Sequence, residues 1–304
     1  MKLLVLRKRT LTYLLASSFV IIVTIPLYIF SYYHLSITSQ ERLEIQLDSS
    51  KHLAKGPLPW EDNSDFKKLC IENNAIIKMS AFKIDLPDLL SGGNFNIDHG
   101  ADLLAGKVVQ PGTVFSLNAS VGPYSKERGY REGPSYHSGQ VKQTEGGGIC
   151  KLAAALFNAA ILADLTILER HAHSMVVPYV PPGQDAAVTF LGGKDLKFKN
   201  VTQSPLVIWS DTVDKTLFVA VYGIKAPDKV SWHHKVLNRQ KTSTVYHRND
   251  SLGPGETRVV IPGADGLTVK SWLLIEPKND KPYIKELGID HYQPLPQLIE
   301  HNPQ

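Results

Sequence analysis

In the stretch TEGGGICKLAAAL, Thr144 to Leu156, three glycines and an isoleucine lead into a cysteine, and an alanine-rich segment follows at once. Alanine is the best intrinsic helix former, and Leu152, Leu156, Ala159, Ala160 and Ala163 recur on one helical face. The spacing predicts a helix from Cys150 to about Ala163, with the thiol in its first turn. Free N–H groups and the helix dipole at that end favour a thiolate. Gly146, Gly147 and Gly148 open positive φ values to the backbone and permit close approach by another chain. Two readings follow. Either loop and helix pack tightly around a structural cysteine, or the sulfur is offered to a substrate while the glycine amides hold a developing oxyanion.

The N-terminus constrains location. Lys2, Arg7, Lys8 and Arg9 precede an uncharged apolar run from Leu11 to Tyr33, and about 20 such residues suffice to cross a bilayer. The run ends in Ile29, Phe30, Tyr32 and Tyr33, an aromatic fringe rather than a small-residue cleavage site. It therefore reads as an uncleaved single-pass anchor in the cell membrane, N-terminus inside and the remainder extracytoplasmic; a cleaved signal peptide is the alternative. A formal net charge of +4 without a dense basic patch gives no reason to expect nucleic acid as a partner.

Four segments are expected: an anchor over 1–33, a stalk or linker over 34–79, a mixed domain over 80–224 and a small β module over 225–304. The linker contains a short helical candidate near Phe66 to Ile71 that carries Cys70. Within the mixed domain, Ile97, Ala101, Leu104 and Ala105 have helical spacing, and KVVQPGTVFSLN reads as strand, turn, strand. Beyond Leu165, LTILERHAHS, DAAVTF, KDLKFKNV, LVIWSD and KTLFVAVYG read as short strands, with Phe198 facing away from Lys197 and Lys199. The expected class is α+β, a cysteine-bearing helix on antiparallel strands followed by an all-β module with Gly-rich turns.

Candidate partners for the thiol lie in LERHAHSMVVPYVPPGQDAAV. On a strand, His171 and His173 would share a face, where a histidine could deprotonate Cys150 and later protonate a leaving amine. Asp185 could orient that imidazole as the third member of a Cys-His-acid set. A zinc site at Cys150, His171 and His173 is an alternative, but no CxxC or HExxH spacing supports it, so neither a metal nor an organic cofactor is expected. His137 reads as a solvated loop residue. A Cys70–Cys150 disulfide is also compatible with an exported chain.

From about Asn94 to Gly223 the chain resembles the VanW family, through PGTVFSLNASVGP, ERGY, GGGIC, LFNAA, ERHAHS, YVPPGQDA and LKFKN in that order. The tail from about Ser251, with GPGETRVVIPGADG and YQPLP, resembles small glycine-rich β domains of bacterial surface proteins. The first resemblance implies a bacterial envelope protein linked to peptidoglycan, and L,D-transpeptidation of its stem peptides through a thioester at Cys150. It maps Cys150 to the motif cysteine, Gly146 to Gly148 to the glycine run, His173 to the His-Ser step and Asp185 to the aspartate of the PGxD turn. His171 falls at a variable position. The family usually has Gln where this chain has Lys151, which could contact substrate or lower the thiol pKa by its charge. A non-catalytic wall-binding or glycopeptide-resistance accessory role is the competing expectation.

Overall fold

The computed structural model describes residues 50–86, 92–137 and 140–303. The anchor expected over 1–33 and the first part of the linker lie outside them. Among the described residues, no helix is long and apolar enough to cross a membrane. The described chain is α+β, dominated by strands, with four α-helices.

Its centre is a four-stranded antiparallel sheet in the order β1-β9-β8-β2, made of β1 (Ile77–Asp85), β9 (Thr216–Gly223), β8 (Leu206–Val213) and β2 (Lys107–Val109). Alternation along β9 serves two faces. Val219 and Val221 enter the main core, while Ala220 and Tyr222 face a second cluster with Leu58, Trp60, Phe66 and Cys70. That second layer is built by α1 (Ser64–Glu72), whose start is capped by the Asn63 side chain accepting from the Asp65 and Phe66 amides. The stretch read as linker is thus folded against the sheet from the Leu53–Phe82 bridge onward, because its apolar residues cover a sheet face that would otherwise meet water.

On the main face lies α4 (Cys150–Leu162), with every residue from Lys151 to Ile161 buried. A helix apolar on all sides belongs in the centre of a domain. It stops at Ala163: Asp164 turns to φ +53, its N–H donates to the Ile161 carbonyl, and the Leu165 N–H reaches back to Ala160 at 3.0 Å. This is a Schellman closure with aspartate where glycine is commonest. The helix α2 (Gly92–Leu104) packs beside α4 and on β8, matching the predicted segment closely.

Some expectations change. The strands flanking the Pro-Gly turn join different sheets, β2 pairing with β8 and β3 (Val114–Ser116) with β7 (Lys197–Lys199); α3 (Leu117–Val121) follows β3 directly. Phe198 is fully buried between two outward lysines, as expected. The HAH segment is not a strand, since β6 (Thr166–Glu169) ends before it, and residues 185–190 form none either. Their backbone is instead tied by the Ala187 N–H to the His171 carbonyl at 2.8 Å. A hairpin of β4 (Glu132–His137) and β5 (Gln140–Glu145), unanticipated from sequence, precedes the glycine run and places His137 in its last pair rather than in a loop.

The C-terminal strands form two three-stranded sheets, β10-β13-β14 and β11-β15-β12. They comprise β10 (Lys229–Gln240), β11 (Thr244–Arg248), β12 (Thr257–Ile261), β13 (Gly266–Glu276), β14 (Tyr283–Tyr292) and β15 (Gln297–His301). The first sheet is continuous with the main core: Leu273 and Ile275 are buried in it, and Trp232 meets Phe157 of α4 edge-on at 5.8 Å.

Candidate functional site

The glycine run is a packing device and a doorway at once. Gly146 and Gly147 are buried, Gly148 partly exposed. A Cβ at Gly147 would run into the Gly133 carbonyl, and Gly148 holds φ +103 with the Gly93 carbonyl close by. The buried Asn96 amide fastens this loop, donating to the carbonyls of Gly147 at 2.9 Å and Arg131 at 2.8 Å and accepting from the Arg131 N–H. The Gly146 and Gly147 amides are spent inside the loop, on Arg131 and Thr144, so they do not serve the oxyanion role considered from sequence. The amides of Ile149 and Lys151 are likewise taken, by Gly146 and Gly148. Among the described residues, no backbone acceptor stands against the amides of Gly148 and Cys150, at the open end of α4.

Cys150 and Cys70 are both free thiols. Cys70 belongs to the second core cluster, and burial pushes its pKa up to about 11, an inert thiol. Cys150 is partly exposed, with its sulfur 3.7 Å from the Val188 carbonyl and close enough to His173 for the imidazole to act on its charge. The His173 Nδ1 stands 2.7 Å from Asp185 Oδ2, which leaves Nε2 for the sulfur. The three residues the sequence pointed to are therefore assembled as a Cys-His-Asp relay.

Asp185 is fully buried, and every bond it needs is supplied. Oδ2 accepts from the His173 backbone N–H as well as its ring, both at 2.7 Å. Oδ1 accepts from Arg170 Nη2 at 2.9 Å and from the Tyr292 hydroxyl at 2.6 Å. Arg170 is itself held by two bonds to Asp290, at 2.6 and 2.7 Å, and its Nε donates to the Asp185 carbonyl. Tyr292 and Asp290 come from β14, so the C-terminal sheet completes the relay's acid end. The residue just after that strand holds the histidine loop, the Gln293 N–H donating to the Ser174 carbonyl at 2.6 Å. The turn before Asp185 is fixed by Gly183 at φ +93, its N–H on the Tyr292 hydroxyl at 2.7 Å, and by Asn158 of α4 donating to the Gln184 carbonyl.

Electrostatics follow from this geometry. Burial opposes a charge on His173, but Asp185 and Cys150 outweigh it and push its pKa up to about 9. Burial likewise raises the thiol, yet the hydrogen bond and charge of His173 bring it below its ordinary value. Burial works against Asp185 too, and His173 and Arg170 hold its carboxyl below the usual range. Both shifts favour the thiolate and the imidazolium over the neutral pair. Lys151 is not what lowers the thiol; His173 is.

The other sequence candidates take different places. His171 turns away, its Nε2 3.0 Å from Glu169 Oε1, so Cys150, His171 and His173 are not gathered around one point. The period-two rule fails because the strand has ended at Glu169. Lys151 is 7% exposed, with its ammonium 5.6 Å from the centroid of the Tyr179 ring. The relay opens into a cleft of about 1520 Å³ whose walls include Tyr124, Gly148, Lys151, Ser174, Tyr179 and Thr189. Arg170, Asp290 and Tyr292 are the site residues that sequence reading missed.

Residues 93–222 match the family described as VanW like protein, agreeing with the resemblance drawn from the motifs. Over 127 residues the chain is 37% identical to the uncharacterized protein YoaR of Bacillus subtilis (strain 168), 42% of each chain. It is 29% identical over 149 residues to the vancomycin B-type resistance protein VanW of Enterococcus faecalis (strain ATCC 700802 / V583), covering 47% of this chain and 53% of that one. The chain thus spans about half the length of these curated relatives. Among solved structures it is similar to the IgA1 protease G5 domain, at 14% identity and a TM-score of 0.17 over 25% of this chain and 92% of that one. It is also similar to HP0197-G5, at 9% and 0.15 over 24% and 99%.

Proposed function

Taking residues 93–222 as the VanW-like domain they form, we propose that the protein is a cysteine acyltransferase of the bacterial cell wall, an L,D-transpeptidase acting on peptidoglycan stem peptides. The observation that carries this reading is the Cys150–His173–Asp185 relay at the mouth of an open cleft. The name of the Enterococcus faecalis relative, a vancomycin resistance protein, supports a cell-wall setting. An anchor over Leu11–Tyr33 would hold the domain on the outer side of the cytoplasmic membrane, within reach of that substrate.

In the first step the Cys150 thiolate attacks the carbonyl that joins the third, L-centred residue of a donor stem to D-alanine at position four. Negative charge develops on the carbonyl oxygen, where the Gly148 and Cys150 amides and the positive end of α4 can receive it. As the C–N bond breaks, the His173 imidazolium gives its proton to the departing amine of D-alanine. A thioester remains on Cys150. An amine from a neighbouring stem then attacks it, neutral His173 takes the amine's proton, and the thiolate leaves. The product is a 3→3 crosslink; water in place of the amine gives the shortened stem. Asp185 holds the imidazole in the tautomer that presents Nε2 to the sulfur and stabilises its charge throughout.

Disaccharide-tetrapeptide incubated with the protein should release D-alanine and yield 3→3 dimers, and Cys150→Ala and His173→Gln should abolish both. Untouched substrate under reducing conditions, with muropeptide still bound, would replace this reading with a wall-binding accessory protein.

A further inference from the structure

Among the described residues of the cleft wall, Lys151 is a buried ammonium with no carboxylate paired to it. It is 7% exposed and follows the nucleophile directly on α4. Asp185, the carboxylate of the relay, is taken up by Arg170 and His173. What faces the Lys151 ammonium is the Tyr179 ring, at 5.6 Å. Tyr179 also sets the distance to the chemistry, since its ring centroid lies 6.4 Å from that of His173. Burial alone acts on the lysine and pushes its pKa down to about 8, with no charge partner offsetting the desolvation. A desolvated cation of this kind is completed by an anionic ligand. One ammonium beside one aromatic face suits a single negative charge rather than a phosphate dianion, which would draw several donors.

We propose that Lys151 and Tyr179 form a carboxylate-binding subsite next to Cys150, which reads the free α-carboxylate of the residue departing from the thioester-forming carbonyl. The inference rests on the acyl-transfer reading for the identity of that residue. It makes Lys151 a specificity residue: stems ending one residue past the scissile carbonyl place their carboxylate at the ammonium, and stems one residue longer put a neutral peptide group there. The open end of α4 adds to the same positive potential.

The test uses the full chain with Cys150→Ala, so that binding is read without turnover. Diacetyl-L-lysyl-D-alanine with a free C-terminus and the same peptide as its C-terminal amide are titrated calorimetrically, with Lys151 intact and as Lys151→Gln and Lys151→Met. The free acid should bind at least tenfold more tightly than the amide when Lys151 is present, and the preference should fall to near unity in both variants. Affinity for the amide should stay within about twofold, which also verifies that the variants fold. An acid preference that survives in Lys151→Gln, equal binding of the two peptides to the Lys151 protein, or binding of neither would overturn the subsite. Failure of the acyl-transfer reading would show differently, as a Cys150 that never forms a thioester while the Lys151-dependent acid preference persists.

Discussion

Replacing Tyr292 with phenylalanine removes one oxygen from the junction between the C-terminal sheet and the relay. That hydroxyl does two things: it donates to Asp185 Oδ1 at 2.6 Å, and it accepts the Gly183 N–H at 2.7 Å. A hydrogen bond to a buried charge contributes about 1.5–3 kcal/mol, and a buried amide left without an acceptor costs about 1–3 kcal/mol. Both groups are sealed, Asp185 being fully buried and Tyr292 4% exposed, so water does not readily substitute. Partial relaxation keeps the two from adding in full, and Tyr292→Phe should lower unfolding stability by about 2–4 kcal/mol. Urea unfolding should show a lower midpoint with an unchanged slope. Amide exchange at Gly183 should accelerate more than in α4. Asp185 keeps its bonds to His173 and Arg170, so the Cys150 thiolate should persist in the variant. A loss below about 0.5 kcal/mol, the range of an ordinary surface change, would refute the claim that β14 is part of the relay's support.

Other outcomes follow from the same geometry. His173→Gln removes the hydrogen bond and the charge that lower the Cys150 thiol, and iodoacetamide labelling of Cys150 at pH 7 should slow by about tenfold for each pKa unit by which the thiol rises. Turnover should fall at low pH as Cys150 protonates and again as pH rises through about 9, where His173 loses the proton it gives to the leaving amine; a pH–rate profile without an upper limb near 9 would contradict this assignment. The folded-state pKa of His173 lies above its reference value of 6.5, so its stabilising contribution is complete below 6.5 and disappears as pH rises through about 9. The Cys150 thiol, lowered in the fold, acts in the opposite sense across the same window, so the decline should be seen in Cys150→Ala and be missing from that variant once His173→Gln is added. Gly147→Ala drives a methyl group into the Gly133 carbonyl and should cost about 1–3 kcal/mol in thermal unfolding.

Much of the Cys150–His173–Asp185 relay was legible because its signals are local. Cys150 sits where a glycine run meets a strong helix former, and the structure starts α4 at that residue. His173 and Asp185 lie on one short segment whose motifs carried the family resemblance. What local pattern could not show is the support from β14. Arg170 and Asp290 are 120 residues apart, Asp185 and Tyr292 107 apart, and Asp290 lies in a sequence that reads only as an exposed strand. The shared face expected for His171 and His173 failed because the strand carrying that periodicity ends at Glu169. The folding of Leu58, Trp60, Phe66 and Cys70 onto the sheet was signalled by their apolar character, but their polar neighbours made the region read as a linker. Of the two readings of the glycine run, packing has its geometry in Gly147, while Gly148 and Cys150 line the cleft.

The central claim is that Cys150 is an acyl-accepting nucleophile, and intact-protein mass spectrometry tests it most directly. Disaccharide-tetrapeptide is mixed with the protein, quenched in acid within seconds, and the adduct located by peptide mapping. The account expects a hydroxylamine-sensitive adduct on Cys150, with the mass of the donor lacking D-alanine, that is missing from Cys150→Ala. An unmodified Cys150 in a protein that nevertheless releases D-alanine, or a protein that binds the muropeptide and leaves it intact, would contradict it.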